Sequence, residues 1–194
     1  MPQTVIFTGA MGKTEDVLKV VADNFYNRHK DDALRLFDQV RQQHTTLMKY
    51  LLVVEFLEAS KQMQEVFTEV EWLLYDEPVR DARYYTDQIV GTGPVLQAIL
   101  LAAVLKEQKK KAHWLDSRDI LRTDDNFGNA QLLANFADLT TAFPFDASAE
   151  LLVMPWTVGS TYDNETTRYA PAEVLKMIQE KAPGANCQVL ENTI

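Results

Sequence analysis

The feature that most constrains the fold of this chain is the alternation of short apolar runs with longer segments of helical periodicity. Residues 5–7 (VIF) predict a buried strand, and residues 15–27 carry apolar side chains every three or four positions, which predicts a helix. Short strands are also predicted at residues 113–115, 151–154 and 187–190. Strands that alternate with helices are typical of parallel sheets. The chain is therefore predicted to form an α/β fold with a mainly parallel sheet covered on both faces.

The remaining helices follow from the same periodicity and from residues that end helices. Helices are predicted at residues 31–57, 61–75, 84–90, 95–105, 131–141 and 172–181, with polar loops at 122–129 and around Pro144. Pro78 ends one helix, and the segment 91–94 (GTGP) separates two others. Because the chain has 194 residues and shows neither an internal repeat nor a clear linker, we expect a single domain, 1–194.

Charge and cysteine content exclude several classes of function. Lysine and arginine number 19 against 28 aspartates and glutamates, a net charge of −9, so no nucleic-acid partner is expected. The one basic cluster, residues 106–111 (KEQKKK), is interpreted as the solvated end of an apolar helix. Cys187 is the only cysteine, the start of the chain lacks the pattern of a secretory signal, and the longest apolar stretch, 95–105, is too short to span a bilayer. We therefore expect a reduced, soluble, cytoplasmic protein without a membrane partner.

Local motifs do not by themselves identify a chemistry. Residues 9–14 (GAMGKT) match the second half of a phosphate-binding Walker A loop, but Phe7 stands where the first glycine is required. The three histidines are not spaced to bind a metal, and we expect no metal site. Asp124 and Asp125 lie in a polar loop after a predicted strand, where α/β proteins often bind substrates or metals, although adjacent aspartates more often form turns.

Four segments of the chain carry a family resemblance when they are taken in order. They are residues 9–18 (GAMGKTEDVL), 70–90 (VEWLLYDEPVRDARYYTDQIV), 114–125 (WLDSRDILRTDD) and 158–167 (VGSTYDNETT). Together they resemble aspartokinase, of the amino acid kinase family. The resemblance implies a reduced three-layer αβα sandwich of the amino acid kinase type. It also implies that GAMGKT is the turn facing the amino acid substrate, and that the substrate-binding positions are Lys13, Thr123, Asp124 and Asp125. Aspartokinases transfer the γ-phosphoryl group of Mg-ATP to the side-chain carboxylate of aspartate.

The chain departs from the family pattern at positions that the resemblance connects with catalysis. We expect no counterpart of the family's first strand and glycine turn, which carry the catalytic lysine, and none of its nucleotide half and regulatory domain. Pro94 stands in place of a substrate-holding glutamate, and Glu15 in place of a substrate-contacting threonine. Arg168 and the residues after it replace a glycine-rich loop that contains an arginine and an aspartate.

These departures lead us to expect an aspartokinase-like protein that is catalytically inactive, without catalytic residues or cofactor, and serves as a binding or scaffold module. Its first expected partner is a small anionic ligand, bound by the cationic side chains of Lys13 and Arg168. Its second is either another copy of the chain or a full-length aspartokinase. The alternative is an aspartate kinase that uses Mg-ATP, with a partner subunit supplying the missing glycine turn.

Overall fold

The computed structural model describes residues 4–133, 150–170, 174–175 and 186–190. The helix predicted at 172–181 is represented there by the helical residues 174–175, and the loop predicted around Pro144 lies outside the described residues. Of the helix predicted at 131–141, only 131–133 are described. Leu132 forms an isolated bridge with Thr123, so helix is wrong for this part.

The described elements follow one another in an order that brings strands together from distant parts of the chain. They are β1 (Thr4–Thr8), α1 (Thr14–Tyr26), α2 (Lys30–Leu51), α3 (Phe56–Tyr75), α4 (Ala82–Val90), α5 (Thr92–Glu107), β2 (Ala112–Trp114), α6 (Ser117–Ile120), β3 (Leu151–Pro155), β4 (Val158–Ser160), β5 (Thr166–Arg168) and β6 (Asn186–Leu190).

A parallel sheet of four strands forms the centre of the fold. Its order is β2-β3-β1-β6, and all its pairs are parallel. Because side chains alternate along a strand, Ile6 and its partner Val153 lie on one face, where Val153 packs against Ala98 and Ala102 of α5. Val5 and Phe7 lie on the other face. The four predicted strands and the α/β fold with a mainly parallel sheet are confirmed.

Helix α5 is the innermost helix of the layer that covers one face of the sheet. It packs on β1, β2 and β3 and on the other helices of this layer, and Val95, Leu96 and Ala98 are completely buried. A helix that is apolar on all sides needs such surroundings. By length and composition Ala82–Glu107 would be able to cross a membrane, but 72% of its most apolar window is buried inside the protein. The stretch therefore has the surroundings of a core helix.

Two predicted helix boundaries are wrong. Helix α2 ends at Leu51 rather than at residue 57, and α3 begins at Phe56 rather than at 61. The two helices are separated by an apolar turn at 52–55, whose backbone N–H groups are bound by a distant carboxylate. The predicted break at 91–94 is reduced to Gly91, which has helical dihedral angles, and Pro94 is accommodated in the first turn of α5.

The second face of the sheet is covered by residues that periodicity did not predict. Phe7 contacts Trp156, with ring centroids 5.0 Å apart, and both belong to a cluster that includes Ile120 and Tyr169. The short helix α6 supplies Ile120 to this cover, and Tyr169 follows directly after β5. The pair β4–β5 also brings the polar segment after β3 next to α4 and α6, which positions the candidate site.

Candidate functional site

The turn after β1 joins the sheet to α1. Trp156 donates its backbone N–H to the Thr8 carbonyl at 2.8 Å, and the Thr8 hydroxyl donates to the Pro94 carbonyl at 3.2 Å. Gly12 has a φ of 51°, which favours glycine. Lys13 follows with an exposed side chain that makes no hydrogen bond or ion pair within the described residues. The position at which a Walker loop needs glycine is the buried Phe7.

The amino-terminal turns of α1 and α5 touch each other directly. A Cβ atom placed on Gly93 would lie 2.8 Å from the Ala10 Cβ and 3.2 Å from the Leu18 Cδ1, so only glycine fits without a shift of its neighbours. These are the two turns that the resemblance places around the amino acid substrate. At Gly93 their contact leaves no space for a ligand between them.

Glu15 binds two cations at the start of α1. Its Oε1 accepts from Arg168 at 3.0 Å and from Lys19 at 3.0 Å. Burial alone would raise the pKa of Glu15, but the hydrogen bond from Lys19 and the charge of Arg168 outweigh burial and lower the pKa. Lys13 and Arg168 were both expected to bind an anion. Lys13 is exposed, whereas Arg168 is already paired with the Glu15 carboxylate.

The predicted loop residues Thr123, Asp124 and Asp125 follow α6, and the first of them contacts β5. Thr123 is buried, and its hydroxyl shares a hydrogen bond of 2.7 Å with the Thr167 hydroxyl. The Asp124 carboxylate accepts backbone N–H groups from Gln131 at 3.0 Å and Asn126 at 3.3 Å. Asp125 is exposed. Among the described residues no hydrogen bond or ion pair joins Lys13 to this loop, and the carboxylate of Asp124 serves the turn itself.

Asp87 is a buried acid within the predicted helix 84–90 that the sequence analysis did not single out. Its side chain is completely buried, and its Oδ2 accepts backbone N–H groups from Gly128 at 2.8 Å and Arg168 at 3.1 Å. Burial raises the pKa of Asp87, and the two N–H groups offset only part of this effect. The only available signal was the position of Asp87 in α4, three residues after Tyr84 and three before Val90. Asp87 joins α4 to the loop and to β5.

A polar cleft of about 350 Å³ opens between α3, α4, α6 and the β4–β5 pair. Arg118 lies along it and donates to both Asp116 oxygens, with the shortest contact at 2.7 Å, and to Glu69 at 2.9 Å. Burial would lower the pKa of Arg118, but the charges of Asp116 and Glu69 outweigh it and raise the pKa. Asp119 also lines the cleft, and burial together with the charge of Asp116 raises its pKa.

The charged side chains that line the cleft pair with one another. The Arg118 donors are occupied by Asp116, Glu69 and, more weakly, by Thr166. Within residues 4–133, 150–170, 174–175 and 186–190, no three His, Cys, Asp or Glu side chains are grouped so that they would hold a metal ion.

Comparison with known proteins places this geometry in a known architecture. No family model matches the chain. Among curated proteins, the lysine-sensitive aspartokinase 3 of Escherichia coli is 37% identical over 46 residues, which is 24% of this chain and 10% of that protein.

Solved structures match nearly the whole chain. Aspartokinase III of E. coli in complex with lysine and aspartate (T-state) superimposes with a TM-score of 0.78 at 18% identity, over 95% of this chain and 42% of that one. The same enzyme with aspartate and ADP (R-state) gives a TM-score of 0.74 at 19% identity, over 97% and 42%. The aspartate kinase of Clostridium acetobutylicum gives 0.66 at 15% identity, over 96% and 40%. The chain thus spans about two fifths of the length of these kinases, and its fold is that of an aspartokinase.

Proposed function

We propose that this chain is an aspartokinase-like binding or scaffold module that does not itself transfer phosphate. The observation that carries the proposal is the pairing of Arg168 with Glu15 at 3.0 Å. Aspartokinase III has been solved with aspartate and ADP bound. In this chain, Arg168 is neutralised by Glu15 at the start of α1, and the carboxylate itself repels an acidic amino acid.

Two further features of the interior support the same proposal. Pro94, where the resemblance expects a substrate-holding glutamate, has no side-chain charge and no backbone N–H. The contact of Gly93 with Ala10 closes the space between the two turns at that point. Phosphoryl transfer depends on positioning and charge stabilisation, which need specific donors around the reacting groups. We infer that the retained framework serves binding rather than catalysis.

The role of the ion pair is tested by calorimetric titration of L-aspartate into the wild type, Glu15→Gln and Asp16→Asn. The first substitution removes the carboxylate charge and releases Arg168, whereas the second removes an equal charge from an exposed neighbour in the same helical turn. We expect no heat of binding from the wild type and from D16N, and measurable weak binding from E15Q. If E15Q and D16N behave alike, the ion pair does not account for the loss of aspartate binding.

A second candidate is an aspartate kinase that uses Mg-ATP and is completed by a partner subunit. It is favoured by Lys13, whose exposed ammonium group has no partner within the described residues and lies at the start of α1, where anions bind well. Mixing the chain with a full-length aspartokinase that keeps its glycine turn and catalytic lysine, but is inactivated in the turn that faces the amino acid substrate, distinguishes the two. New aspartyl phosphate in the mixture supports the kinase, and its absence despite complex formation supports the scaffold.

The proposed module works in the cytoplasm, either as a homodimer or in a complex with a full-length aspartokinase. In the described sheet β1 is paired on both sides, so the strands available for edge pairing are β2 and β6. Sedimentation velocity of the chain alone and with a full-length aspartokinase tests both assemblies. A monomer in both experiments would contradict them.

A further inference from the structure

The turn between α2 and α3 exposes a continuous group of apolar side chains. We call residues 50–57 the hairpin tip. Tyr50 is 86% exposed, Val53 85%, Val54 66% and Leu57 80%. Isolated apolar side chains on a surface are ordinary, but a contiguous group marks an interaction site or an aggregation hazard. The hairpin tip lies outside the candidate site described above and is not explained by the proposed function.

The backbone of the hairpin tip is held in place by hydrogen bonds to a distant carboxylate. The Glu107 carboxylate accepts backbone N–H groups from Val53 at 3.1 Å, Val54 at 3.0 Å and Glu55 at 3.0 Å. Leu52, within the same turn, is buried and anchors it to the helical core. Three donors at the start of α3 are therefore satisfied by one carboxylate at the end of α5. This arrangement holds the turn whose apolar side chains are exposed.

Lysines lie close in sequence to the hairpin tip or to Glu107, which binds its backbone. They are Lys49 on α2, Lys61 on α3, and Lys106, Lys109 and Lys110 around the end of α5. The acids of the same region are Glu55, Glu58 and Glu107, and the last of these is occupied by backbone N–H groups. The region is therefore locally positive although the chain carries a net charge of −9. Charges more than about 8 Å away are largely screened at physiological salt, so the local lysines decide which surface the hairpin tip meets.

We propose that the hairpin tip docks on an anionic membrane surface, with Val53, Val54 and Leu57 entering the interface and the lysines contacting lipid phosphates. Apolar side chains combined with basic residues bind at the lipid headgroup boundary. A second copy of the chain fits less well, because two tips in contact would bring their lysines together. The earlier expectation of no membrane partner rested on spanning segments, and interfacial docking requires none.

The proposal is tested by co-sedimentation of the purified chain with two kinds of vesicle, phosphatidylcholine alone and phosphatidylcholine mixed with phosphatidylglycerol. We expect binding to the anionic vesicles only. The double substitution V53D/V54D should lower the partition constant by about tenfold or more, because two apolar side chains leave the interface. K109Q/K110Q should lower it by about thirtyfold. All four residues are exposed, so circular dichroism should be unchanged.

Val79 offers a matched control, because it is 86% exposed and lies outside the hairpin tip. V79D should bind anionic vesicles as the wild type does. Failure of the wild type to bind anionic vesicles overturns the proposal, as does an equal loss of binding in V79D and V53D/V54D. If sedimentation velocity instead shows self-association that V53D/V54D abolishes, without vesicle binding, the surface is a protein interface and the membrane proposal is wrong.

Discussion

Removing the Asp87 carboxylate tests the hydrogen bonds that hold the loop and β5 against α4. The substitution Asp87→Ala leaves the backbone N–H groups of Gly128 and Arg168 without their acceptor. A net hydrogen bond to a charged group contributes about 1.5–3 kcal/mol. Gly128 lies in an exposed turn, where water replaces part of the lost bond. We therefore expect the free energy of unfolding to fall by about 2–4 kcal/mol.

The substitution Asp87→Asn separates the hydrogen bonds from the charge, because an amide oxygen still accepts from both donors. Burial raises the pKa of Asp87 above its ordinary value of 3.8. Between the unfolded and the folded pKa, the native state therefore holds a proton that the unfolded state has lost, and the wild type loses stability as the pH rises through this window. Since D87N cannot titrate there, its stability relative to the wild type should increase with pH.

The assay is urea unfolding followed by far-UV circular dichroism, for the wild type, D87A, D87N and the exposed-aspartate control D16N, at about pH 4 and about pH 7. D16N should follow the wild type at both values. A D87A protein within about 1 kcal/mol of the wild type would show that the two N–H groups are not held as described. A D87N protein that loses stability relative to the wild type as the pH rises would refute the direction of the pKa shift.

Three further substitutions test other contacts. Gly93→Ala should cost about 1–3 kcal/mol by overpacking against Leu18; an unchanged melting temperature would contradict the close contact of the two turns. Glu107→Ala should accelerate amide hydrogen exchange at residues 53–55, because it removes the acceptor of their N–H groups. These N–H groups, that of Glu55 first, lower the pKa of Glu107, so the wild-type protection should be present above the unfolded pKa and lost as the pH falls through the folded pKa; equal exchange rates in both proteins would refute this. Arg118→Met leaves its carboxylate partners unpaired and should cost about 2–4 kcal/mol, discounted for their exposure; an Arg118→Lys protein as stable as the wild type would show that the bidentate geometry is unimportant.

The elements that the sequence predicted well are those whose own pattern determines them. The strand β1 is a short run of apolar residues between polar ones, and α1 carries its buried side chains every three or four positions. The local pattern failed to predict helix boundaries that depend on contacts with residues distant in the chain. Residues 50–54 contain neither glycine nor proline, and the end of α2 depends on Glu107, which lies 53 residues after Val54.

The candidate site was harder to predict from the sequence than the fold was. The resemblance singled out Lys13, Thr123, Asp124 and Asp125, and their part in substrate binding stays a prediction. Asp87 was overlooked, because an aspartate within an amphipathic helix looks like any exposed acid until its buried surroundings are known. The Arg168–Glu15 pair joins residues from opposite ends of the chain, and no local sequence pattern predicts such a contact.

The most direct test of the central claim is an assay for aspartyl phosphate. The purified chain is incubated with Mg-ATP, L-aspartate and hydroxylamine, which traps the acyl phosphate as a hydroxamate that is measured by its colour with iron. Our account predicts no hydroxamate above a blank without protein, with a full-length aspartokinase as the positive control. Hydroxamate that increases in proportion to the concentration of the chain, and disappears when aspartate is left out, would show that the chain is a kinase and would contradict the account.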